Sequence, residues 1–216
     1  MSNDRRAIIG PVRHNPSTVV VLAGQPGEQV LTAVGRSLNV VLVRPEEPGA
    51  DGLEAAAGTL RRAGRISASY VLVTADPLNA VAAAWREMWT VGSGERGAGA
   101  DGSSEFELRA AEALGAWRAG QFELPDYYLA LADSAGPEGD TPDFYLGPLR
   151  SVRPNRVAVA AGAGPAAQAA ALLDELGTLR HGRWWPSLEE IVAAARGFYP
   201  GALSESPSAG QATLLG

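Results

Sequence analysis

Three times along this chain an apolar run with β character gives way to a turn of small residues and proline, and then to an Ala-rich helical pattern. The first unit is the run 18–23, the turn Gly24-Gln25-Pro26-Gly27 and a helix over 28–36. The second is 69–74, then Ala75-Asp76-Pro77, then a helix over 78–91. The third is 156–160, then Ala161-Gly162-Ala163-Gly164-Pro165, then a helix over 166–176. Proline is preorganised for the first turn of a helix, and Asp76 is placed to cap the second one. A further β run, 39–43, precedes a helix over 53–63. A helix over 105–118 sets Phe106, Ala110, Ala113 and Trp117 on one side, and another spans 188–196. Continuously apolar strands alternating with helices predict an α/β fold, a mostly parallel sheet with helices on both faces.

One phrase is stated twice and complicates the sheet. Pro125-Asp126-Tyr127-Tyr128-Leu129-Ala130-Leu131 is echoed by Pro142-Asp143-Phe144-Tyr145-Leu146-Gly147-Pro148-Leu149, across a polar gap too short for a helical crossover. Aromatic residues favour strands, so the expectation is an antiparallel hairpin at one edge of a mixed sheet. Pro125, Pro142 and Pro148 are tolerated at such an edge and discourage further pairing. The expected organisation is a single α/β domain over 1–199 with a Gly-rich loop near 92–104, followed by a flexible C-terminal tail over 200–216.

Composition removes several function classes. The chain has no Cys, which excludes disulfides, thiolate catalysis and Cys-ligated metals. Its 18 basic residues are all Arg, and the net charge is −6. An acidic surface without a basic stripe makes nucleic acid a poor partner. No apolar segment has the length of a signal-peptide core or a membrane span, so a cytoplasmic protein without membrane association is expected. The two histidines, His14 and His181, have neither HExxH nor any other metal-ligand spacing, and no metal or cofactor is expected.

Candidate binding residues follow from the parallel-sheet reading. Ligands in open α/β folds bind beyond the carboxyl ends of the strands, which selects Gln25 after the first strand and Thr74, Asp76 and Asn79 after another. Capping alone also accounts for Asp76. Arg150, Arg153 and Arg156 lead into the Gly162-Ala163-Gly164 turn, where free N–H groups and an Arg would hold an anionic small molecule, with Arg153 and Arg156 as anchors. The turn lacks the GxGxxG and GxxxxGK[ST] patterns, and arginines flanking a strand are commonly its solvated ends. Asp126 and Asp143, at matching positions, suit turn positions better than an acid–base couple. No GxSxG accompanies the histidines.

The aromatic residues point to contact with another protein. Trp85 and Trp89 share a helical face, and Tyr127 and Tyr145 sit on the two expected hairpin strands. Trp184-Trp185 precede the last helix, as a lid or a staple. The leading expectation is a non-catalytic interaction protein or accessory subunit that associates with itself or another protein through Trp85, Trp89, Tyr127 and Tyr145. The alternative is a small-molecule or phosphorylated-metabolite binding protein, or an enzyme, using the loops at the carboxyl ends of the strands. Stacking of single-stranded nucleic acid on Tyr127 and Tyr145 is a third, opposed by the net charge. Nothing in the residues decides whether the chain is an enzyme.

Overall fold

A computed structural model describes residues 17–23, 26–46, 52–90, 100–133, 144–182 and 185–198. The strands are β1 (Thr18–Ala23), β2 (Val40–Val43), β3 (Tyr70–Val73), β4 (Tyr127–Asp133) and β5 (Val157–Gly162). All five form one parallel sheet in the order β2-β3-β1-β4-β5. Between them lie α1 (Glu28–Gly35), α2 (Leu53–Ala63), α3 (Asn79–Thr90) and α4 (Ala100–Arg118). A π-helical turn (Tyr145–Leu149) runs into the short α5 (Arg150–Val152), and α6 (Pro165–Thr178) and α7 (Leu188–Gly197) follow β5.

The layers follow from handedness. Parallel crossovers are right-handed, so the face a helix covers is set by the direction in which the chain steps across the sheet. The step from β1 to β2 runs one way and puts α1 on one face. The steps from β2 to β3, β3 to β4 and β4 to β5 run the other way and put α2, α3, α4 and the π turn on the opposite face. Alternation along the strands feeds both cores. Val20, Leu22, Leu72 and Leu129 meet Val30 and Val34 of α1 and Leu172 and Leu176 of α6. Val19, Val21, Val71, Val73 and Tyr128 meet Leu60, Trp85, Phe106 and Ile191 of α2, α3, α4 and α7. Strands buried on both faces explain why β1 reads as an unbroken apolar run.

The expected α/β fold with helices on both faces is present; the antiparallel hairpin is not. Its first half is β4, an interior strand between β1 and β5 rather than an edge, with Pro125 placed just before the ladder. Its second half is helical over the described residues 144–149. Phe144, Tyr145 and Leu149 lie on one side of the widened turn and are buried against the core, which outweighs the β preference of an aromatic pair. Gly147 allows the close packing, because a Cβ there would stand 2.7 Å from the Phe198 ring.

The Gly-rich stretch expected as a loop also departs in part. Residues 100–104 form the first turns of α4, and Gly102 lets α4 lie against α3, since a Cβ would come within 3.1 Å of the Met88 Cα. Residues 92–99 and the tail 200–216 lie outside the described residues. The sheet takes strands from both sides of the Gly-rich stretch, with β1 paired to β3 and to β4. Among the described residues no helix is long and apolar enough to cross a membrane.

Gly162 closes β5 directly beneath the first turn of α6. A Cβ there would lie 2.5 Å from the backbone of Ala167 and Gln168, which cannot swing aside as a side chain can. Gly162→Ala is expected to cost about 1–3 kcal/mol of stability in urea unfolding; an unchanged midpoint would mean that α6 is free to slide along the sheet.

Candidate functional site

The two ends of the sheet differ in what they leave open. At the amino end, the connection from α6 to α7 passes beneath β1 and β4 and is tied down by named contacts. The Tyr127 hydroxyl donates to the Arg180 carbonyl at 2.9 Å, and the Trp185 indole N–H donates to the Pro125 carbonyl at 2.7 Å. Arg156 stacks its guanidinium 4.7 Å above the Tyr127 ring and donates to the Gly182 carbonyl at 3.0 Å. The fully buried Asp126 accepts the Val19 N–H at 2.7 Å, in the place of a ladder carbonyl. His181 turns Nδ1 to the Ser17 carbonyl at 3.2 Å, with the Asp126 carboxylate 3.8 Å away. These contacts hold a chain crossing together, and the open depression beside them is lined by Thr18, Ser69, Tyr70, Arg180 and His181.

At the carboxyl end, β1 sends the chain to α1 on one face and β3 and β4 send it to the other, so their loops part and leave a crevice. A cavity of about 480 Å³ lies there. Leu22 and Ala23 of β1, Leu53 and Ala56 of α2, and Pro45 line its apolar side. Thr74, Asp76, Asn79 and Tyr145 supply its polar side.

Asp76 is the centre of this site. It follows β3 by three residues, and its Oδ1 accepts the Leu78 N–H at 2.9 Å in an Asx turn that leads into α3. The expected N-cap position is thus set back to a turn ahead of the helix, and two further donors converge on the same carboxylate. The Tyr128 hydroxyl donates to Oδ1 at 3.3 Å, and the Tyr145 hydroxyl donates to Oδ2. The two rings are packed together with centroids 5.5 Å apart. Burial pushes the Asp76 carboxyl up from 3.8 to about 6, against the opposing pull of Tyr145, the Leu78 N–H and Tyr128. Burial and the facing carboxylate push both tyrosines well above their ordinary value of 10, so both hydroxyls keep their protons. A carboxyl that titrates near neutrality, beside a permanently protonated hydroxyl open to a cavity, can bind a polar ligand or exchange a proton with one.

Comparison with protein families, with characterised proteins and with solved structures finds no match to this chain. The site therefore rests on its own geometry.

Of the predicted ligand residues, Asp76 and Asn79 share the cavity, while Gln25 lies outside the described residues. Arg153 and Arg156 do not join them. They precede β5, at the amino end of the sheet, where Arg153 is exposed and Arg156 is held by Tyr127 and Gly182. The anion clamp is therefore not assembled at the cavity, because a parallel sheet separates residues before a strand from residues after one by the length of that strand.

Three of the four residues expected at an interface are buried in the chain's own interior, and the fourth is partly covered there. Trp85 is 0% exposed, Tyr145 and Tyr127 are buried, and Trp89 is half-buried. Trp85 is ringed by Trp89, Phe144 and Phe198 and donates its indole N–H to the Ala195 carbonyl at 2.8 Å. The face shared with Val81 is the core face of α3. Trp185 likewise packs on Tyr128, with centroids 5.6 Å apart, instead of forming a lid. His14, Asp143 and Trp184 lie outside the described residues. Among the described residues no group of three or more acidic or His side chains is gathered to hold a metal.

The sequence reading missed the tyrosine pair as partners of Asp76. Tyr128 and Tyr145 occupy the same place in the two repeated phrases, three residues after Pro125 and Pro142, and the signal that only one of them lies on a strand was the helical spacing of Phe144, Tyr145 and Leu149.

Proposed function

We propose that this protein binds a small, non-phosphorylated molecule in the cavity beyond the carboxyl ends of β1 and β3. The observation that carries the reading is Asp76, set at the wall of that cavity with its carboxylate held by Tyr128, Tyr145 and the Leu78 N–H. A volume of about 480 Å³ is ample for a metabolite-sized ligand, and an apolar lining with a few convergent polar groups is the usual build of such a site. Among the described residues no Arg lines the cavity, which argues against a phosphorylated ligand. Asp76 is also suited to proton transfer, so a catalytic role is within the reach of the same site.

The test is a fragment screen by NMR on the full chain and on Ala80→Trp, which places an indole at the exposed rim of the cavity. Fragments are expected to move the amide signals of residues 74–79 in the native chain and not in the variant. A screen in which no fragment moves those signals would refute the site.

Self-association is a second reading, supported by one observation. β2 is an outer strand, and Val41 within it and Leu38 just before it are exposed large apolar residues. If copies pair through this edge, light scattering over a tenfold concentration range will show an oligomer that Val41→Lys converts to monomer. A native chain that stays monomeric throughout removes this reading.

A further inference from the structure

The charge of the cavity narrows what enters it, and the inference drawn here rests on the binding reading above. We propose that the ligand is a compact organic ammonium, its cationic nitrogen at Asp76 and Tyr145 and its hydrocarbon part against Leu22, Pro45 and Leu53.

The polar wall is rich in acceptors. Asp76 brings a carboxylate, and Tyr145 has committed its proton to that carboxylate, so its oxygen faces the ligand with lone pairs only. Thr74 and Asn79 add oxygens that can accept from the same nitrogen. Among the described residues no basic side chain lines the cavity to balance the carboxylate. Arg86 is close enough for its charge to act on Tyr145, but it is not part of the lining.

An anion would meet the Asp76 charge with nothing to offset it. A neutral alcohol would satisfy hydrogen bonds but leave the charge uncompensated. A cation gains the full attraction, which is larger in a partly desolvated cavity than in water. The opposite side is aliphatic, without aromatic rings among Leu22, Ala23, Pro45, Leu53 and Ala56, and so fits an alkyl body rather than a flat heterocycle.

Three probes of one size separate the possibilities: n-butylammonium, 1-butanol and butyrate, titrated into the labelled full-length protein at pH 7.5. Butylammonium is expected to shift the amide signals of residues 74–79 saturably, at least tenfold more tightly than either competitor. Asp76→Asn should weaken it at least tenfold and leave 1-butanol unchanged, with the amide spectrum showing that the variant is folded. Tyr145→Phe, which keeps the ring, should weaken it several-fold. Lowering the pH to 5 should weaken it as well, because a proton then competes for Asp76. Equal binding of 1-butanol and butylammonium, or preference for butyrate, would overturn the ammonium assignment while leaving the cavity as a binding site. Silence from all three probes overturns the ammonium assignment, and the fragment screen then decides the site itself.

Discussion

Trp85→Ala is expected to lower the unfolding free energy by about 3–5 kcal/mol, a large part of the stability of an ordinary domain. The indole is fully buried and its removal leaves a hole between Phe144, Phe198 and Trp89. It also removes the shorter of two hydrogen bonds to the Ala195 carbonyl at the end of α7, leaving only the Phe198 N–H at 3.4 Å. The loss ties together α3, α7 and the π-helical turn, so those three should loosen together in hydrogen exchange. Urea unfolding followed by circular dichroism measures the change. The half-buried Trp89, replaced by alanine, should cost less. A drop below about 1 kcal/mol for Trp85→Ala would place the ring outside a packed core. A change in association state without a loss of stability would restore it to a docking surface.

The second large effect is on pH dependence. Asp76 binds its proton more tightly in the folded chain, near pH 6, than at its unperturbed value of 3.8. Between these values the native state carries more protons than the unfolded state, so this group's contribution to stability is complete below about pH 3.8 and is lost as the pH rises through 6. A shift of about two units corresponds to roughly 3 kcal/mol at the ceiling, and the opening of Asp76 to the cavity lets solvent reduce it. Surface carboxylates act in the opposite sense. Arg44 and Arg196 hold Glu28 and Glu107 below their usual range, so those pairs weaken on acidification. The difference between Asp76→Asn and the native chain isolates the buried group. Asp76→Asn should be the more stable at pH 7.5, with the advantage shrinking toward zero at pH 4. An advantage that does not change with pH would mean that Asp76 is not desolvated.

The fold was legible wherever burial on both faces wrote itself into the residues. β1 and β3 read as strands because every position must be apolar, and α1 and α6 start where proline and glycine permit it. The π-helical turn was not legible, because Phe144-Tyr145 carries the same local preference as Tyr127-Tyr128 and only the surrounding core distinguishes them. The face of α3 that holds Trp85 was visible as a face, but whether it met the sheet or solvent depended on α7, whose place is a matter of tertiary packing. For the site, the rule of carboxyl strand ends was enough to find Asp76 and Asn79. The same rule places Arg156, which precedes its strand, at the other end, so its expected role as an anchor there did not follow from strand direction. The tyrosines converge on Asp76 from segments separated by 52 and 69 residues of chain, a distance across which no local pattern speaks.

The central position of β1 has a consequence for how the chain reaches this structure. β1 is made before the other strands of the sheet, and its neighbour on one side, β3, follows soon after, but its other neighbour is β4. The Val19 amide waits for a carboxylate 107 residues further along. Until then β1 presents an unpaired margin that is apolar from Val19 to Ala23, and loop closure over that span is the slow kind that topology imposes. During synthesis the three-stranded assembly of β2, β3 and β1 is therefore the species most exposed to pairing with a stranger. A fragment ending at residue 124 is expected to aggregate rather than settle into a smaller folded unit.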